Sequence, residues 1–257
     1  IEMVNHTRLD CTTGSASGMR AGVAQAIWHA QHRQAFGKTL VDQPLMGNVL
    51  ADLAIESEAA TAAALRVARA YDEAAAGDAG AAAFRRLATA VLKYWVCKRS
   101  APHAAEALEC LGGNGYVEDW GLARLYREAP LNSIWEGSGN VQCLDVLRAA
   151  ARAPEAVQAL RAELHLARGA DRRYDAFLAR LEDDFQGGEP AAEAGARRLV
   201  ERWALALQAG LLVRHAPPAV ADAFCAARLA GEGGAAFGTL PPSADLTTIL
   251  ERAAPTV

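Results

Sequence analysis

Apolar and small side chains recur every three or four residues along most of the chain, a spacing that places them on one face of an α-helix. The pattern predicts long helices over about 1–35, from Leu45 to the break at 77–80, and over about 81–111. A fourth helix is predicted over about 140–151. Four long helices joined by short connections are typical of an antiparallel four-helix bundle.

Alanine fills much of this apolar pattern, with 60 occurrences among 257 residues. Because alanine favours helices and lets them pack closely, the composition predicts an all-α fold with no sheet larger than a hairpin. Gly14, Gly18 and Gly22 form a row in the first helix. Each glycine costs about 1 kcal/mol relative to alanine in a helix, so we expect the row to lie against a neighbouring helix or a ligand.

The chain changes character after Pro154. Helical segments are predicted at about 155–186, 190–215 and 218–230, and a final short amphipathic stretch follows a glycine- and proline-rich loop. We therefore predict two parts, a helical bundle over 1–150 and an additional helical subdomain over 151–257.

The charge balance gives no general attraction for nucleic acid. Lys and Arg number 26 and Asp and Glu 30, so the net charge is −4 and any DNA contact would need local arginines. The five cysteines are widely spaced without a CxxC pair, so neither disulfides nor a metal site is indicated and a cytoplasmic location is expected. Charges interrupt every apolar run, so no membrane span is predicted. Because the first residue is Ile, we interpret the sequence as part of a longer chain.

The segment over 112–135 departs from the helical pattern, because it combines several glycines with aromatic residues. It predicts a long structured loop with a short helix at about 122–128, and a loop of that length in a compact domain is usually functional. After it, Glu136 stands beside Trp135 and before a small polar turn that opens a helix. Such a carboxylate suits a general base that removes a weakly acidic C–H proton. The alternative is that Glu136 and Ser138 simply cap the helix.

Two other segments suit an anionic or aromatic ligand. The sequence from Leu111 to Tyr116 reads Leu-Gly-Gly-Asn-Gly-Tyr, whose bare backbone could approach a phosphate, or could simply end a helix. Arg33 and Phe36 lie three residues apart and could contact a pyrophosphate or a ring system. Alternatively, this segment is an ordinary helix end with Lys38 near the helix dipole.

These three segments, in this order and spacing, resemble the C-terminal helical domain of acyl-CoA dehydrogenases over about residues 1–150. The resemblance implies FAD bound between subunits and oxidation of an acyl-CoA thioester, with a Glu taking the α-proton while the β-hydrogen passes to the flavin as hydride. Glu136 falls on the position of that base. In the branch whose base lies on the first helix, the matching position is about Thr7, which cannot serve. Arg8 and Trp135 match the substrate site.

The resemblance also implies which residues contact FAD: Arg33 and Phe36 from one subunit, and Gly112, Gly113, Ser138 and Asn140 from its partner in a homodimer or homotetramer. Two positions depart from the family pattern, since Pro44 and Glu109 stand where many members have glutamine. Gln43 lies beside the first and is expected to replace that glutamine as a cofactor contact. A carboxylate at 109 would repel a diphosphate unless it is turned away or paired. The family's N-terminal and central domains are missing from this chain, so we expect it to be a poor enzyme alone.

Within that family, the chain is most similar to the AidB branch, adaptive-response flavoproteins that protect DNA from alkylation. The similarity rests on the segments 8–11, 43–46, 124–128, 132–140 and 143–148 and on the additional residues 151–257. It implies duplex DNA binding with residual dehydrogenase chemistry. The alternatives are an ordinary FAD-dependent acyl-CoA dehydrogenase of fatty-acid or amino-acid breakdown, or a helical assembly module. The candidate DNA contacts are Arg148, Arg172, Arg173, Arg197 and Arg198, which could equally be solvated helix faces.

Overall fold

The computed structural model describes residues 2–185 and 193–255, and its regular secondary structure is helical except for one small hairpin. The first half contains α1 (Glu2–His32), β1 (Gln34–Ala35), β2 (Lys38–Thr39), α2 (Pro44–Ala75), α3 (Ala79–Glu109), α4 (Gly113–Tyr116), α5 (Leu122–Glu128) and α6 (Gly139–Arg152). The second half contains α7 (Pro154–His165), α8 (Arg172–Phe185), α9 (Ala196–His215), α10 (Pro218–Phe224), a π-helical turn (Cys225–Leu229) and α11 (Leu246–Ala253). The predicted all-α fold is confirmed.

Helices α1, α2, α3 and α6 form the predicted antiparallel bundle. Helix α2 runs antiparallel to α3, because the Tyr71 hydroxyl lies 3.1 Å from that of Thr89 near one end and Glu56 accepts from Arg99 further along. Helix α6 is also antiparallel to α3. Arg86 of α3 binds Asp145 of α6, whereas Tyr94, later in α3, lies against Gly139, earlier in α6. Helix α1 runs parallel to α3, because Cys97 contacts the Cys11 carbonyl and Ala107, further along α3, lies against Gly22, further along α1. Helices α2 and α6 therefore run in one direction, and α1 and α3 in the other.

Local sequence explains where these helices begin and end. Pro44 occupies the first turn of α2, where its missing N–H costs nothing. The Asp78 side chain caps α3 by accepting from the Ala81 N–H at 2.9 Å. Pro102 lies inside α3 and does not end it.

The glycine row on α1 is explained by packing within the chain. A Cβ added at Gly22 would lie 3.2 Å from the Ala107 Cβ on α3, and one at Gly18 would lie 3.5 Å from Leu125 on α5. A Cβ at Gly14 would lie 3.6 Å from the amide nitrogen of Asn132. Of the two alternatives that the sequence left open, the structure therefore supports contact with neighbouring elements.

The second half differs from the sequence prediction in one respect. The single helix predicted over 155–186 is two helices, α7 and α8, because the chain turns at Gly169 with a φ of 86° that favours glycine. The helix predicted over 190–215 begins at Ala196, and the predicted break at 187–190 lies outside the described residues. The helix predicted over 218–230 continues past Phe224 as a π-helical turn.

One hydrophobic core runs through both predicted parts. It includes Ile27, Leu53 and Leu92 of the bundle together with Tyr174 and Trp203 of the second half. The division at residue 150 consequently remains a prediction, since no gap in the core marks it. No helix within the described ranges is long and apolar enough to cross a membrane.

A buried ionic network joins the second half to the bundle. Arg228 pairs with Asp52 and with Glu56, at 3.0 Å in the second case, and Arg99 pairs with Glu56 at 3.0 Å. Burial alone would raise the pKa of Glu56, but Arg99 and Arg228 outweigh it and hold that pKa at about 2. Removing either partner would leave a buried charge without compensation.

His103 lies beside this network and is completely buried. Its Nε2 is 3.1 Å from the Leu53 carbonyl oxygen, and its Nδ1 has no hydrogen-bond partner among the described residues. Burial lowers the pKa of His103 to about 4. The imidazole is therefore neutral in the folded protein at pH values where an unfolded histidine binds a proton.

We predict that the protein loses stability as the pH falls from about 6.5 to about 4, because only the unfolded state then protonates His103. Between pH 7 and 5 the loss from this residue is about 2 kcal/mol. The contribution of Glu56 is retained there, since it is lost only as the pH falls from about 4.5 to about 2. Urea unfolding at pH 7 and pH 5 measures the difference.

In the variant His103→Gln this pH 7 to pH 5 loss should shrink by about 2 kcal/mol. The matched control is His215→Gln, which changes an exposed histidine at the end of α9 and should leave the loss as it is in the original chain. Equal losses in the two variants would contradict the assignment.

Candidate functional site

Glu136 lies in a strained turn immediately before α6. Its φ is 56° and that of Gly137 is 98°, so two consecutive residues adopt the left-handed region. A side chain other than glycine costs about 1 kcal/mol or more there, and such strain clusters at functional sites. The Glu136 residue is half-buried, and Trp135 beside it is half-exposed.

Side chains from three core helices hold this turn through its carbonyl groups. Arg8 Nε on α1 donates to the Glu136 oxygen at 3.2 Å. Gln142 Nε2 on α6 lies 3.0 Å from the oxygens of both Glu136 and Gly137. Lys93 Nζ on α3 donates to the oxygens of Trp135, at 2.7 Å, and Gly137, at 2.6 Å. The turn is thus fixed to the bundle rather than free as a loop.

Arg8 is itself held by Asp145, with Nη1 2.8 Å from Oδ2. Arg86 also binds Asp145 at 3.2 Å, and Arg148 lies 3.8 Å from it. Burial acts to raise the pKa of Asp145, but Arg86 and Arg8 outweigh it and hold that pKa below its usual range. Three arginines around one carboxylate leave this side of the Glu136 turn positively charged.

The alternative in which Glu136 and Ser138 merely cap α6 receives no support from the side chains. Ser138 occupies the N-cap position, yet its side chain makes no capping hydrogen bond. Asn140 in the first turn accepts from Arg197 Nε at 2.9 Å, and its residue is exposed. The first N–H groups of α6 are therefore not satisfied by either predicted cap.

A second group of predicted residues meets at the far ends of α1 and α3. A cleft of about 410 Å³ is lined by His29, Arg33, Ala35, Leu40, Glu109, Cys110, Leu111, Gly112, Gly113 and Asn114. Arg33 is exposed, and within the described residues its guanidinium makes no ion pair. The resemblance assigned Arg33 and the glycine pair to different subunits, whereas a single chain brings them together.

Phe36 projects from the hairpin next to this cleft. The residue is 99% exposed and has a φ of 54°, with Gly37 following at 80°. Gln43 Nε2 donates to the Ala35 carbonyl at 3.2 Å and so braces the same hairpin. Lys38 lies on β2, well past the end of α1, so it does not cap that helix. A fully exposed aromatic ring on a braced turn is available for contact with a ligand or another chain.

The glycines of the segment 112–115 are explained by different physical causes. A Cβ at Gly115 would lie 2.0 Å from the Leu108 carbonyl oxygen, so packing requires glycine there. Gly112 has a φ of 59°, which explains it by conformation. Neither packing nor backbone conformation requires glycine at 113, because a Cβ there would meet nothing within 4 Å and its φ is not in the left-handed region. Open backbone at Gly113 fits the close approach of a ligand such as a phosphate.

The cleft and the Glu136 turn are well separated in one chain. Lys93 holds the turn and Glu109 lines the cleft, and the two lie about 24 Å apart along α3 at 1.5 Å per residue. Ser138 and Asn140 therefore belong with Glu136, while Arg33, Phe36, Gly112 and Gly113 form the other group. The predicted contacts fall into two sets, but not along the division that the resemblance implied.

The arginines predicted to contact DNA do not form one cluster. Tyr174 packs on Gly210, so the start of α8 lies about 18 Å along α9 from Arg198. Arg173, at that start, is paired with Asp171 and with Asp222 at 2.6 Å. Arg172, Arg197 and Arg198 are exposed, and so is more than half of the Arg148 side chain.

Sequence reasoning missed Lys93 and Gln142, which hold the turn, and Asp145, which holds Arg8. Only Lys93 gave a local signal, because it is a charged residue within the apolar segment 91–97. Its partners are 42 and 44 residues away in sequence, so spacing could not identify them.

A comparison with known families identifies the family to which the chain belongs. The model of the acyl-CoA dehydrogenase C-terminal domain matches residues 1–151. The chain therefore belongs to the acyl-CoA dehydrogenase family, whose members are FAD-dependent oxidoreductases acting on CH–CH groups.

Particular relatives extend over more of the chain. The Escherichia coli (strain K12) protein named putative acyl-CoA dehydrogenase AidB is 42% identical over 234 residues, which are 91% of this chain and 42% of that protein. The crystal structure of Caenorhabditis elegans ACDH-11 in complex with C11-CoA has a TM-score of 0.80 at 27% identity and covers 88% of this chain and 43% of the other. The chain thus spans less than half the length of these relatives.

A third comparison concerns the fold alone. An acyl-CoA dehydrogenase complexed with FAD from Bacillus anthracis has a TM-score of 0.63 at 16% identity, covering 97% of this chain and 46% of the other. The helical arrangement of the second half therefore also occurs in a distant member of the same structural class.

We predict opposite results for two alanine substitutions in the glycine segment. Gly115→Ala should destabilise the chain by roughly 2–4 kcal/mol, because its Cβ would collide with the Leu108 carbonyl. The matched variant Gly113→Ala should change stability by less than about 0.5 kcal/mol and should weaken FAD binding by the full-length protein. Urea unfolding and flavin fluorescence measure the two quantities, and unchanged FAD affinity in Gly113→Ala would contradict the role of open backbone.

Proposed function

We propose that the protein is an FAD-binding acyl-CoA dehydrogenase-type flavoprotein in which Glu136 removes the α-proton of an acyl-CoA thioester. The observation that carries the proposal is the strained Glu136 turn, which three core helices fix through its carbonyl groups. Holding a base in one place lowers the entropic part of the barrier to proton transfer. A simple helix cap would need no such arrangement.

The cleft at Arg33 fits the phosphate end of a dinucleotide. Arg33 supplies a cation without an ion-pair partner among the described residues, and Gly113 supplies open backbone. Glu109 lines the same cleft, and its carboxylate weakens the attraction for an anion. FAD, when bound, supplies an acceptor for the substrate's β-hydride. We propose that Arg33, Phe36, Gly112 and Gly113 hold it, and that Ser138 and Asn140 approach it from the N-terminus of α6.

Two further properties are proposed with this function. Because the cleft and the Glu136 turn are about 24 Å apart along α3, a site that uses both would take them from two copies of the chain, which supports a homodimer or homotetramer. The location in the cytoplasm remains the prediction made from the cysteines, all five of which are buried free thiols. Acyl-CoA is the proposed substrate class, in keeping with the C11-CoA complex of the worm relative.

We predict that Glu136→Gln in the full-length protein abolishes bleaching of the flavin by acyl-CoA while FAD stays bound. The substitution keeps the shape of the side chain but removes its capacity to accept a proton. Flavin absorbance during acyl-CoA titration measures the effect.

The matched control is Glu128→Gln, which removes an exposed carboxylate at the end of α5 and should leave bleaching intact. If Glu136→Gln bleached as fast as this control, the role of base would be rejected and Glu136 would be left as a structural residue.

Duplex DNA binding and protection against alkylation are proposed from the similarity to the AidB branch. The 42% identity to the Escherichia coli protein over most of the chain, including the additional helices, supports membership in that branch. The net charge of −4 gives no independent support, so binding would depend on exposed arginines such as Arg148, Arg197 and Arg198. An ordinary acyl-CoA dehydrogenase of fatty-acid or amino-acid breakdown is the second candidate, since it needs only the Glu136 turn and the cleft.

We predict that full-length protein binds duplex DNA without sequence preference and that binding weakens steeply with salt. Replacing a contacting arginine such as Arg198 by alanine should lower the log–log salt slope by about 1, because one phosphate contact is lost. Arg173→Ala is the control, since its guanidinium is paired with two carboxylates and should not contribute. The absence of duplex binding at low salt would leave the ordinary dehydrogenase as the function.

A further inference from the structure

Lys93 is buried in the centre of the bundle, with its residue only 1% exposed. Its neighbours along α3, from Val91 to Cys97, are also buried. A buried ammonium group needs strong acceptors, and within the described residues Lys93 forms no ion pair with a carboxylate. Its acceptors are instead the carbonyl oxygens of Trp135 and Gly137, at 2.7 and 2.6 Å.

These two carbonyls lie on either side of Glu136. The ammonium of Lys93 therefore joins the residue before the carboxylate to the residue after it. Arg8 and Gln142 donate to the Glu136 and Gly137 oxygens, whereas the Trp135 oxygen is held by Lys93. Lys93 is thus the side chain that bridges the whole strained turn.

The backbone of the turn is the kind that needs such a bridge. Left-handed φ values at Glu136 and Gly137 are unfavourable for the first of these residues and persist only when the surrounding structure fixes them. Since Lys93 extends from the middle of α3, it ties the turn to a helix that packs against several others. An apolar side chain of similar length could fill the same space but could not hold the carbonyls.

We propose that Lys93 is the positioning residue for Glu136, and that its contacts with the Trp135 and Gly137 carbonyls set the placement of the carboxylate for proton removal. The inference rests on the proposed function of Glu136. Lys93 does not touch the substrate in this role. It acts through the backbone of the turn.

The test compares Lys93→Met and Lys93→Gln in the full-length, FAD-loaded protein. Lys93→Met keeps the length of the side chain and removes every donor, whereas Lys93→Gln retains an amide donor. Misplacement of a catalytic group by about 1 Å can cost about 100-fold in rate, so we expect flavin bleaching about 100-fold slower in Lys93→Met and less slow in Lys93→Gln. The affinities for acyl-CoA and for FAD should stay unchanged.

Lys98→Met is the matched control, because Lys98 lies on the same helix but is exposed. It should bleach at the original rate. A readout independent of activity is the ¹⁹F spectrum of protein labelled with 5-fluorotryptophan, with the Trp135 signal assigned from Trp135→Phe. That signal should shift or broaden in both Lys93 variants and remain unchanged in Lys98→Met.

A merely structural role gives a different result. If Lys93 only fills the core, its variants will melt at lower temperature while the bleaching rate per bound flavin and the Trp135 signal stay unchanged, and the proposal is overturned. Failure of both variants to fold would also count against it, because a positioning role requires a core that tolerates the change.

The outcome with Glu136→Gln separates this inference from the function on which it rests. If Glu136→Gln still bleaches, the proposed base is wrong whatever Lys93 does. If Glu136→Gln abolishes bleaching and the Lys93 variants retain the full rate, only the positioning role of Lys93 fails.

Discussion

Burial of α3 is the constraint on which the rest of the structure depends. This helix packs against α1, α2, α6, α7 and α9, so its polar side chains must find partners inside the protein. Lys93 donates to carbonyls of the Glu136 turn, and Arg99 donates to the Glu56 carboxylate. The His103 imidazole lies within hydrogen-bond distance of the Leu53 carbonyl. Each pairing fixes a different part of the molecule. The candidate site and the junction with the second half of the chain are thus consequences of one buried helix.

The two candidate groups use different physical means. The Glu136 turn depends on strain balanced by donors from the core, which gives a carboxylate with a fixed backbone. The cleft depends on open space and available charge. Gly113 has space where a side chain would lie, and Arg33 has no ion pair within the described residues. A rigid base and an accessible cation are the requirements for proton removal and for binding a diphosphate. Their separation along α3 is the reason for assigning a complete site to two copies.

The second half of the chain is tied to the bundle by charge as well as by apolar packing. Arg228 reaches two buried carboxylates on α2, and Arg214 and Arg66 both bind Glu163. Buried pairs of this kind contribute modestly to net stability but are costly to break. The additional helices are therefore held in one arrangement relative to the site, although the arginines that they carry are spread over more than one surface.

The sequence by itself determined the helical class and the bundle, and it indicated Glu136, whose role as the base stays a prediction. Local signals can be recognised without knowledge of the fold. They include the periodic apolar positions, the glycine and proline breaks and the segment around Glu136. It failed at Gly169, where one predicted helix is two, and in the grouping of Arg33 with the glycine pair. Only the tertiary structure decided that Lys93 holds the Glu136 turn and that Asp145 holds Arg8. Those pairings join residues 42 or more positions apart, and the partner of a buried polar group is chosen by how helices pack rather than by spacing along the chain.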